Sequence, residues 1–207
     1  MRKATRIVAA SLGVFAGIGG PEHGYFEILQ GHVRPDSLMI AAMGPPCEPD
    51  KVWNLCEPAM TVVPSFLVTG ILATLLGIIT MIWAAVFVHR KNGGLVLILL
   101  SVALLLGGGG LFPPLIGIVG GVVATRINAP LNRQPERRSG RVPRFFARLW
   151  PWPLVAFFTW LFGQFIVGYF FSEFLLKSGF LIPLLILGLM TLAIVSGFAH
   201  DAHRQAD

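Results

Sequence analysis

The chain has 207 residues, 55% of them hydrophobic and 13% charged, with a mean hydropathy of +0.73. A soluble domain carries about 25% charged residues, so this composition excludes an ordinary water-soluble globule and requires lipid as solvent. The net charge of +6 could suggest nucleic acid, but seven of the sixteen basic residues lie between Arg126 and Arg148, flanked by apolar runs. That placement belongs to a cytoplasmic membrane loop, and with no zinc-finger or RNP-like spacing, nucleic acid is excluded as a partner.

In chain order, the basic opening Arg2, Lys3 and Arg6 precedes a first apolar segment at about 7–20. Val14-Phe15-Ala16 before Gly17 is similar to a signal-peptide cleavage site, but the shortness of the run favours retention as a membrane helix; cleavage would leave five segments. Gly19, Gly20 and Pro21 are expected to end this segment. An outer loop then covers 21–61. It holds Cys47 and Cys56, with eight residues between them, after Gly44-Pro45-Pro46, and on the oxidising side of a membrane the pair is expected to form a structural disulfide. Catalytic dithiols usually sit closer together, which disfavours redox chemistry.

In the same loop His23 and Glu27 share a face at i, i+4 if a helix begins at Pro21. With Glu22 they make a candidate site for a divalent metal or a relayed proton. The alternative is an interfacial segment whose acids face water.

The second segment, about 62–88, is the longest and ends in His89-Arg90-Lys91. The block from 94 to 127 is broken by Gly107, Gly108, Gly109 and Gly110, then Pro113 and Pro114, which no continuous helix tolerates. It reads either as two short spans, 94–108 and 111–127, or as one span and a re-entrant segment. A basic cytoplasmic loop at 126–148 follows. Its Arg137, Arg138, Arg141, Arg144 and Arg148 alternate with aromatic residues and are expected to face anionic lipid. The fifth and sixth segments are about 149–171 and 179–199. The tail residues His200, Asp201 and His203 are expected to fray into solvent.

Orientation follows from charge. With the N-terminus inside, the cytoplasmic pieces hold thirteen of the sixteen Lys and Arg residues, and only Arg34, Lys51 and Lys177 lie outside. The expected fold is a single all-α transmembrane bundle over 1–207, with about six segments and both termini inside. The spacings Gly13-xxx-Gly17 and Gly117-xxx-Gly121 suit close helix contacts. Thr69, Thr74, Thr80 and Ser101 are expected to bond their own helix backbones, and Gln164 to bond across helices. No Asp, Glu, Lys or Arg is expected mid-span, which counts against a charge-lined pump.

Five stretches carry a resemblance: Pro21-Glu22-His23-Gly24 with Glu27 to Gly31, Glu57-Pro58-Ala59-Met60-Thr61, Leu67 to Ala73, Gly93 to Ser101, and Gly108-Gly109-Gly110 leading to Pro113-Pro114. Together they resemble a group of small prokaryotic multi-pass membrane proteins described as hypothetical, over roughly residues 1–130. The resemblance implies a shared membrane fold and location in the cytoplasmic (inner) membrane, and no activity; the cysteine pair is not part of it.

No nucleophile–base set or complete metal site can be assembled, which argues against an enzyme, and no cofactor is expected. The small size and glycine-rich faces suit a scaffold or accessory subunit of a membrane assembly, with a membrane-protein partner or a second copy. The alternative is a channel or transporter for a small solute that uses the break at 107–114.

Overall fold

A computed structural model describes residues 1–42, 57–129 and 141–204, without the side chains of 141–143. Cys47 and Cys56, and with them the expected disulfide, lie outside the described residues, as do Arg137 and Arg138. The described chain is helical except for one two-stranded ribbon. Four helices are long and apolar enough to cross a membrane: α1 (Lys3–Gln30), α2 (Phe66–Ile82) with its π-helical continuation Trp83–Phe87, α6 (Trp152–Phe170) and α8 (Leu181–His203). Of the about six segments expected, these four reach that length. The third and fourth are α3 (Gly93–Leu106) and α4 (Phe112–Ala124), of 14 and 13 residues. At 1.5 Å per residue each is about 20 Å long, short of a hydrocarbon core of about 30 Å.

The helices bury small residues and expose large ones. On α2 the buried positions are Thr69, Gly70, Ala73, Gly77 and Thr80, one stripe at helical spacing. Leu75, Ile79 and Ile82 on its other faces are about half exposed. A surface of that kind suits lipid and not water.

The chain divides into two compact units, and α1 contributes to both. In the larger, residues 9–42 and 57–126, α1 lies on α2 with backbone nearly touching backbone. A Cβ on Gly20 would meet the Ala73 carbonyl oxygen at 2.4 Å, one on Gly24 the Gly70 oxygen at 2.5 Å, and one on Gly77 the Gly17 oxygen at 2.5 Å. This contact explains why α1 does not stop at Gly20 or Pro21. Pro21 removes one hydrogen bond inside the helix, but the surrounding glycines are what allow α2 to approach, and packing overrides their poor helix propensity. The expected outer loop at 21–61 therefore begins ten residues later.

The short helices α3 and α4 form an antiparallel hairpin, with Gly94 against Gly121 and Ser101 against Gly117. The ribbon pairs β1 (Met39–Ala41) with β2 (Pro58–Met60), Ile40 opposite Ala59. Gln30, at the end of α1, donates to the carbonyls of Ala41 and Ala42 at 3.3 and 3.0 Å. The first amides of α2 donate to residues 31 and 33, so the unpaired donors of that helix start are satisfied by backbone. Thr74, Thr80 and Ser101 bond the carbonyls four residues back.

The second unit comprises residues 1–8 and the described part of 127–207. The last part of the expected basic loop is a helix, α5 (Arg141–Leu149), and a short α7 (Ser172–Lys177) joins α6 to α8. Gln164 is half-buried and makes no hydrogen bond to another helix among the described residues. The tail does not fray. Asp201 is 5% exposed and accepts from Ala4 N at 3.0 Å, Thr5 N at 2.7 Å and Thr5 Oγ1 at 2.7 Å. A carboxylate from the far end of the chain thus caps the first turn of α1.

Candidate functional site

Because α1 runs through to Gln30, Glu22 and Glu27 lie in the last third of a helix long and apolar enough to cross a membrane, and not in a loop beyond it. His23 and Glu27 do share a helix face, and it points inward. His23 is 2% exposed and Glu27 0%; Glu22 is half-buried.

The break between α3 and α4 closes over this face. Gly107 caps α3, and the prolines do not terminate a helix but lie in the first turn of α4, where a missing N–H costs nothing. Between them Gly108 (φ +92°) and Gly110 (φ +81°) adopt left-handed backbone. A Cβ on Gly108 would lie 2.6 and 2.7 Å from the Glu27 carboxyl oxygens and 2.3 Å from Thr69 Cγ2, and one on Gly110 would lie 2.3 Å from His23 Nε2. Only glycine lets the turn sit this close. The turn is held in place from β2: Gly108 N donates to Met60 O at 3.0 Å and Val62 N to Leu106 O at 3.1 Å. Thr61 and Thr69 join their hydroxyls at 3.0 Å.

Glu57, near the end of the expected outer loop at 21–61, enters the site just before β2. Its Oε2 lies 3.7 Å from His23 Nε2, within ion-pair reach when the imidazole is protonated, and its side chain is 47% exposed. Its carboxyl is held above the ordinary range, first by partial burial and second by the negative charge of Glu22. Both Glu27 oxygens and His23 Nδ1 are buried without a hydrogen-bond partner. A buried carboxylate without a donor or counter-charge is costly, which makes Glu27 a candidate functional group.

No group of three or more His, Cys, Asp or Glu side chains among the described residues is placed to hold a metal ion, either at Glu22, His23 and Glu27 or at the tail. Of the basic residues expected to face lipid, Arg144 and Arg148 are exposed on α5 beside Phe145.

Compared with known proteins, the chain matches no protein-family model, no curated protein and no solved structure.

Proposed function

We propose that this is a multi-pass protein of a prokaryotic cytoplasmic membrane that passes a small solute or ion at the α3–α4 break. The observation that carries the reading is the glycine turn at 107–111, held against two buried ionisable side chains of α1, of which Glu27 has no hydrogen-bond partner at either carboxyl oxygen. Irregular backbone at membrane depth is tolerated where it packs on protein or lines a cavity. Ionisable residues there mark solute and ion pathways, and the ends of half-length helices commonly form the binding sites of transporters.

In this reading both termini are cytoplasmic. Thirteen of sixteen basic residues fall on that side, and four spans plus a hairpin that returns to its starting face keep the ends together. Arg137, Arg138, Arg141, Arg144 and Arg148 meet anionic lipid. Cys47 and Cys56 staple the outer loop, worth about 3 kcal/mol for a short closed loop.

The test is flux in proteoliposomes, read by swelling in a panel of small neutral solutes and by an internal pH dye. Uptake above empty vesicles that Glu27→Gln removes is expected. No flux for any probe, or flux indifferent to Glu27→Gln, sinks the reading.

A second reading, an accessory subunit, draws on the α1–α2 contact, where backbone meets backbone through Gly17, Gly20 and Gly24 and no path runs between the helices. Native mass spectrometry of gently extracted protein separates the two, since a stoichiometric partner favours the subunit.

A further inference from the structure

Three side chains in the larger unit form a series of falling exposure. Glu57 has a side chain 47% exposed. His23, 3.7 Å from it, is 2% exposed, and Glu27, one turn along the same helix face, is 0%. The two nitrogens of His23 look onto different surroundings: Nε2 faces Glu57, and Nδ1 is buried without a partner. An imidazole so placed takes a proton on one nitrogen and releases one from the other.

What surrounds Glu27 limits what it can receive. Its carboxyl oxygens abut the Cα of Gly108, and the methyl of Thr69 crowds the same place. The Thr69 hydroxyl is already engaged with Thr61. A hard cation takes six or more oxygen ligands, and nothing approaching that set faces Glu27 among the described residues. A proton needs one acceptor. Among the described residues, Glu22 on α1 is a further titratable group near the series; the facing stretches of α2, the glycine turn and α4 contribute none.

We infer that Glu27 is a proton-exchange site loaded from solvent through Glu57 and His23. Glu57 takes a proton from water and passes it to Nε2 of His23. His23 Nδ1 and the Glu27 carboxyl share no hydrogen bond, so the Nδ1 proton of the resulting imidazolium reaches Glu27 through a bridging water or a side-chain rotation and leaves His23 neutral. Glu57, now ionised, reloads from water, and the reverse sequence empties the site. Gly108 and Gly110 keep bulk water off the buried end. The inference deepens the transport reading and rests on it for what the exchange drives; the site itself can be tested without any flux.

The experiment is pH-difference infrared spectroscopy of the full chain in nanodiscs, in which a buried protonated carboxyl gives its own carbonyl band. Wild-type protein is expected to show such a band titrating between about pH 4 and 10, and Glu27→Gln to remove it. After a pH jump the band is expected to respond about tenfold or more slowly in Glu57→Gln and in His23→Gln. If Glu27→Gln does not fold, Glu27→Asp serves, since it must shift the band instead of deleting it. The absence of any titrating band that depends on residue 27 overturns the site. A band whose response rate is unchanged in both relay variants overturns the route. A titrating Glu27 in protein that passes nothing across vesicles keeps the site and sinks the transport reading.

Discussion

Removal of the Asp201 carboxylate should uncouple the two ends of the chain. In Asp201→Ala the Ala4 and Thr5 amides and the Thr5 hydroxyl lose their acceptor, and both residues are buried, so water does not replace it. At about 1–3 kcal/mol for each buried donor left unpaired, the three donors together should lose at least about 3 kcal/mol. For a chain of this size, at about 2–4 °C per kcal/mol, the midpoint should fall by about 10 °C. Thermal unfolding followed by tryptophan fluorescence in nanodiscs measures it, with hydrogen exchange at residues 4 and 5 as the local readout. Asp201→Asn sharpens the test. Asparagine caps a helix about as well as aspartate, but here Oδ2 accepts two of the three bonds, and either amide orientation turns an NH2 group towards a donor. Asn should therefore retain at most the two bonds made at the Oδ2 position and be less stable than wild type. The exposed neighbour His203→Ala should change little. An Asp201→Ala midpoint within about 2 °C of wild type would refute the reasoning.

The glycines offer matched comparisons. Gly108→Ala and Gly110→Ala combine left-handed backbone with a Cβ driven against Glu27 or His23; each should cost more than about 2 kcal/mol. Gly31→Ala has φ +73° but open space and should cost about 1 kcal/mol, so equal losses at Gly31 and Gly110 in unfolding scans would contradict the cradle. Gly20→Leu or Gly77→Leu should prevent folding, judged by monodisperse elution, because backbone lies under 3 Å from each Cβ position. Gly163→Ala and Gly188→Ala, with nothing within 4 Å, should gain up to about 1 kcal/mol of helix propensity. Glu57 has a folded pKa raised above its ordinary 4.5, so the folded state binds its proton more tightly than the unfolded chain. Its stabilising contribution is then full below 4.5 and fades as pH rises through the folded value. Glu57→Gln should remove that fall from the stability profile just above 4.5, and an unchanged profile would count against it.

The sequence by itself determined the solvent and the helical class, because apolar runs and sparse charge are local properties that lipid alone accommodates. It also located the break at Gly107 to Pro114, since backbone constraints on Gly and Pro act within a residue or two. The length of α1 was not legible. Gly19-Gly20-Pro21 is a stop signal by propensity, and only the α2 backbone lying against those glycines turns it into a packing face. For the same reason His23 and Glu27 could be paired by their spacing, but not placed beside Gly108 and Gly110, eighty-odd residues away in sequence, nor beside Glu57. Asp201 looked like part of a solvated tail because a trans cap leaves no local mark at either end. Spacing along a helix encodes which residues share a face; what that face meets is set by packing between distant segments, and no periodicity in one chain records it.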